Sequence, residues 1–68
     1  MKEDEIHLRK IWNKENLGQF EGKWIAFRSK NIVGEPSQSR EKLVEQFFSD
    51  IREHNTPIFA YVTFEIIA

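Results

Sequence analysis

Apolar positions recur at helical spacing over residues 39–54. Leu43, Val44, Phe47, Phe48 and Ile51 fall at i, i+1, i+4, i+5 and i+8, which predicts one continuous apolar helix face. Ser39 suits the N-cap, with Ser37 as a rival, and Glu41 stands in the first turn. Arg52 and His54 complement the C-terminal end, and Asn55 and Pro57 supply the stop. A narrower stripe of Leu8, Ile11 and Trp12 predicts a helix over residues 3–16, with Ile6 and Leu17 off it. Glu3, Asp4 and Glu5 favour its positive end, and Gly18 is expected to close it in a left-handed conformation.

Between and after these helices the period changes to two. Residues 23–29 read as a first strand, with Trp24 and Ala26 on one face and Ile25 and Phe27 on the other. Ser29-Lys30-Asn31 is a polar turn in which Asn31 tolerates positive φ, followed by a short strand over 32–35 that Pro36 closes. A last strand covers 58–66. It sets Ile58, Ala60, Val62, Phe64 and Ile66 on one face, and Phe59, Tyr61, Thr63, Glu65 and Ile67 on the other. Both faces of that strand are therefore expected to be at least partly covered.

The order α-β-β-α-β predicts a single α+β domain over 1–68, a helix over 1–18 followed by a ββαβ core over 20–67. The second strand, second helix and third strand form a crossover unit, for which right-handedness is the strong rule. The simplest sheet is three-stranded and antiparallel, in the order 2-1-3, with the amphipathic helix on one face. The first helix is a thin cover for the other face, which leaves Trp24 or Phe27, with Phe59 and Tyr61, as an exposed apolar patch. The third strand then lies at an edge, apolar and carrying Glu65 as its one charge. Monomeric proteins blunt such edges, so the strand is expected to be paired, most economically in a homodimer. The alternative is that the first helix folds over the edge and hides it.

Composition narrows the classes. The chain has 68 residues and no cysteine, which removes disulfides and thiolate metal sites. So small a chain buries only about 60% of its unfolded surface, and oligomerisation is one usual compensation. A net charge of −1 gives no basic field for nucleic acid or anionic lipid. With no apolar leader after Met1 and no membrane-length apolar run, the expectation is a soluble cytoplasmic protein.

The stretch Phe20-Glu21-Gly22-Lys23-Trp24-Ile25-Ala26, followed by a turn and Ile32-Val33, resembles a widespread prokaryotic family of small uncharacterised domains. That family's pattern is aromatic-x-Gly-Lys-aromatic-Val-Ala, then a hairpin, a helix and a Val-rich strand, which Ile58-Phe59-Ala60-Tyr61-Val62 matches. The loop Gly34-Glu35-Pro36-Ser37 departs from it, since members more often run from Gly straight into an acidic helix start. The resemblance implies a small α+β fold without an assigned activity, and it brings no catalytic residues.

Chemistry-bearing groups are sparse. Glu3/His7 and Asp50/His54 are carboxylate–imidazole pairs at i, i+4, but a metal needs three or four convergent ligands, so both read as surface pairs. No nucleophile signature surrounds Ser29, Ser37, Ser39 or Ser49, and glycines at 18, 22 and 34 make no phosphate cradle. Neither an enzyme nor a cofactor is expected. The favoured reading is a protein-interaction module, a homodimer or a small subunit or regulator of a larger complex. Phe59, Tyr61, Val62, Thr63 and Phe64 would be its binding strand. A small inhibitor or antitoxin that blocks a partner protein is an alternative. Another is a weak single-stranded nucleic-acid binder, stacking bases on Trp24 and holding phosphates with Lys23, Arg28 and Lys30.

Overall fold

The computed structural model describes residues 2–64. Helix α1 spans Glu3–Ile11 and α2 spans Lys14–Leu17, followed by a 3-10 turn at Gly18–Phe20. Strands β1 (Trp24–Arg28) and β2 (Asn31–Ser37) form a hairpin. Helices α3 (Arg40–Gln46) and α4 (Phe48–Arg52) lead to β3 (Ile58–Tyr61). The sheet is antiparallel in the order β2-β1-β3, as the crossover argument predicts.

The expected long helices are each divided in two, and the causes are local. Asn13 accepts from the backbone N–H of Asn16 at 2.8 Å and so caps α2, while the Asn16 side chain donates to the Ile11 carbonyl at 3.2 Å. These two bonds end one helix and start the next. The rotation between them brings Leu17, which lies off the α1 stripe, into the core. Gly18 consequently sits in right-handed helical backbone, with φ −57° and ψ −34°, rather than in the expected left-handed cap.

In the second case the axis bends at Phe47, which has φ −108° and ψ 23°. The backbone ladder carries on through the bend, from Phe47 N–H to the Leu43 carbonyl at 3.0 Å and from Ile51 N–H to the Phe47 carbonyl at 2.9 Å. Leu43 and Phe47 are buried, whereas Phe48 turns outward and is 61% exposed, so the predicted five-residue face is not continuous. Ser39 is the N-cap, accepting from the Lys42 N–H at 3.4 Å. The left-handed residue that ends α4 is His54, with φ 60°, not Asn55.

The sheet separates two apolar clusters. Ile25 and Phe27, with Val62, are buried under Leu8 and Leu17, flanked by Ile11, Trp12, Phe20, Ile32, Ile58, Ala60 and Phe64. Ala26, Leu43 and Phe47 make the other cluster, flanked by Trp24, Val33 and Phe59. The predicted period-two alternation of β1 and β3 is thus realised. The first helical segment, though, covers its face well: Phe27 is buried and is no part of an exposed patch.

The hairpin closes on the pair Arg28↔Asn31, so the two turn residues are Ser29 and Lys30, with φ 53° and 68°. Positive φ at both central residues matches the right-handed strand twist. Asn31, expected to occupy the left-handed turn position, begins β2 instead. Nor does Pro36 close β2, which continues to Ser37. The pairing jumps from Ala26↔Val33 to Trp24↔Ser37, so Gly34, Glu35 and Pro36 bulge out opposite Ile25. Pro36 is tolerated because β2 is an edge strand.

The expected strand over 58–66 is paired as a strand only through Tyr61; Glu65, Ile66 and Ile67 lie outside the described residues. Val62 adds one further contact to the sheet. It donates to the Lys23 carbonyl at 2.9 Å and accepts from the Gly22 N–H at 2.9 Å.

Candidate functional site

The two edges of the sheet differ. On β2, Gly34 takes φ +69°, and the Gln46 side-chain amide folds back onto the bulge. Its oxygen accepts from the Glu35 N–H at 3.0 Å and its nitrogen donates to the Glu35 carbonyl at 3.0 Å. One side chain therefore occupies both backbone groups of Glu35 at the bulge. A bulge, a proline, a charge and a capped peptide unit together blunt this edge.

On β3 the opposite holds. In an antiparallel ladder, residues alternate between those bonded to one neighbour and those bonded to the other. Val62 bonds to Gly22 and Lys23 just ahead of β1, so Ala60 and Ile58, opposite Ile25 and Phe27, bond to β1 in the same phase. Phe59, Tyr61 and Thr63 then direct their N–H and C=O groups away from the sheet. The Thr63 carbonyl accepts from Trp12 Nε1 at 3.4 Å. Among the described residues, no bulge, proline or charge interrupts Ile58–Tyr61.

Aromatic side chains flank those outward groups. Tyr61 is 47% exposed and lies against Trp24, with ring centroids 5.6 Å apart. Phe59 is half-buried between Phe47 at 6.1 Å and the Arg40 guanidinium at 5.8 Å. Both belong to the face that carries α3, which stops short of covering Tyr61. Of the strand residues singled out from the sequence, Phe59 and Tyr61 present both backbone and side chain. Thr63 is exposed, but its carbonyl is held by Trp12. Val62 is wholly buried and Phe64 packs on Trp12 with centroids 6.2 Å apart, so these two side chains serve the core.

The basic set is not brought together. Lys23 precedes β1 and Lys30 lies in the turn beyond its far end, about 20 Å along an extended chain of that length. Arg28 is engaged: it donates to the Asn55 carbonyl, lies 3.6 Å from Asp50 and sits 6.0 Å over the Phe47 ring. Trp24 is half-buried against Tyr61. Of the carboxylate–imidazole pairs, Glu3 and His7 approach to 3.4 Å. Asp50 faces Arg28, and His54 has left the helix. Among the described residues no three metal-binding side chains converge. No helix among them is long and apolar enough to cross a membrane.

Gln46 and Arg40 carry weight here that their positions in the sequence do not disclose. A proline inside a β-rich stretch was the available signal for a blunted edge, since proline in strands is confined to edges and bulges. Comparison with known protein families, characterised proteins and solved structures finds no match to this chain. The likeness of residues 20–62 to a family of small domains therefore rests on the motif. Its residues do structural work here: Gly22 turns the chain at φ +81°, and Ile25 and Ala26 enter opposite clusters.

Proposed function

We propose that this chain is a non-enzymatic protein-interaction module that takes up an extended strand at its β3 edge. The observation that carries the reading is the contrast between the edges: β2 is blunted at its bulge by Gln46, while Phe59 and Tyr61 present outward backbone groups beside the exposed ring of Tyr61. Strand addition draws affinity from main-chain hydrogen bonds and specificity from the alternate side chains, and this edge supplies both. Such a module serves as a small subunit or regulator of a protein assembly, and a cysteine-free composition suits the cytoplasm.

Affinity capture from a lysate of the native cell tests this, with wild type and Tyr61→Lys compared in the presence of nuclease. Wild type should retain a stoichiometric protein that Tyr61→Lys loses. Equal recovery by both, or recovery abolished by nuclease, would contradict the proposal.

A further inference from the structure

We infer that the strand taken up is β3 of a second copy, giving a closed two-fold dimer whose sheet runs β2-β1-β3-β3-β1-β2. This rests on the strand-addition reading above and names the partner. The edge contrast supports it first. If β3 of one copy docked on β2 of the next, growth would be open-ended, but the Gln46 amide, the Gly34–Pro36 bulge and Glu35 obstruct β2. Pairing is left to β3 with β3, which uses up both open edges and stops at two copies.

Register follows from the outward groups. In two-fold antiparallel pairing centred on Ala60, Phe59 of each copy faces Tyr61 of the other. All four outward N–H and C=O groups on each strand, two from each residue, then find partners. Centring on Tyr61 would instead require Thr63, whose carbonyl already accepts from Trp12. The Ala60-centred register opposes no charges, because Ile58–Tyr61 has none. It also places aromatic side chains opposite one another, among the better cross-strand pairs. The sequence is thus complementary to itself at this edge, in a chain too small to rely comfortably on its own core.

The same register provides a selective probe. Ala60 faces Ala60 of the second copy in a non-hydrogen-bonded pair, where Cα atoms stand about 4.5 Å apart, within the range a disulfide spans. The chain has no cysteine of its own, so Ala60→Cys introduces a single thiol. Sedimentation equilibrium across a wide concentration range should move the wild type from 8.1 kDa towards twice that mass. Tyr61→Lys should raise the dissociation constant by at least about tenfold by opposing charge to apolar surface, with its circular dichroism unchanged. Ala60→Cys should form a covalent dimer on mild oxidation, which guards against Tyr61→Lys merely misfolding.

A wild-type monomer at every concentration, without cross-linking by Ala60→Cys, overturns the dimer. If lysate capture is still sensitive to Tyr61→Lys, strand addition survives that result with a different partner; if capture is insensitive, both readings fall. A dimer that resists Tyr61→Lys, or one that Ala60→Cys does not cross-link, places the interface elsewhere and equally overturns the inference.

Discussion

Gly34 and Phe47 meet at the bulge of β2, and the two sides of that contact can be tested separately. A Cβ on Gly34 would stand 2.7 Å from Phe47 Cζ, at a backbone φ of +69° that L residues rarely adopt. Gly34→Ala should therefore combine strain with overlap and destabilise by about 2–4 kcal/mol in urea unfolding. Gly22 is the control, since its φ of +81° is equally unusual but no atom lies within 4 Å of an added Cβ. Gly22→Ala should cost only the conformational part, about 1–2 kcal/mol. Equal losses at the two sites would show that the ring contact is unimportant. Phe47→Ala removes the ring itself, at about 3–5 kcal/mol, enough to unfold a domain of this size as read by circular dichroism. Phe47 could be placed in the core by helical spacing alone. Phe48 could not be excluded from it that way, because its exposure follows from a bend set by the tertiary fit of Phe47 between Gly34 and Phe59.

Elements were legible wherever pattern and capping agreed. The sheet order follows from three strands, a hairpin joining the first two and a helical crossover to the third, and the sequence pattern carries all three. The helix divisions were harder: the second hydrophobic stripe runs straight past its break at Phe47. The first division depends on Asn13 accepting from the Asn16 N–H and on the Asn16 side chain donating to the Ile11 carbonyl, which helical spacing does not reveal. The β2 guard was hidden for a different reason. Gln46 and Glu35 are 11 residues apart, and no local rule joins them.

That guard has a consequence for assembly. Replacing Gln46 with Leu, Glu35 with Thr and Pro36 with Val together should turn β2 into a second open edge. Sedimentation should then show species larger than a dimer, growing with concentration. A triple variant that assembles like wild type would mean that these residues do not protect the edge. Ser39→Ala, by contrast, should cost about 1 kcal/mol through the lost cap without altering assembly.

For the molecule as a whole, the two apolar clusters lie back to back across the thin sheet, and β3 contributes to both. Alternate residues of β3 thus point in different directions: Ile58, Ala60 and Val62 bond inward, and Phe59 and Tyr61 turn their backbone groups outward. The Val62 and Phe64 side chains pack into the core rather than onto the surface. Val62→Lys should unfold the chain rather than dissociate it, because Val62 is wholly buried. The candidate edge was legible from the sequence as an apolar strand at the end of the sheet order. Which of its residues face outward was not, since that depends on the Val62–Lys23 bond fixing the ladder's phase.

Whether β3 is an edge left open for pairing is decided by residue-resolved amide hydrogen exchange at high and low protein concentration. The amides of Ile58, Ala60 and Val62 should be protected at both concentrations. Those of Phe59 and Tyr61 should be protected only at the higher one and should exchange freely on dilution. Exchange at Phe59 and Tyr61 that is fast at every concentration would show an edge that pairs with no second copy. Protection that persists on dilution would show an edge already covered within the chain, and would contradict the claim outright.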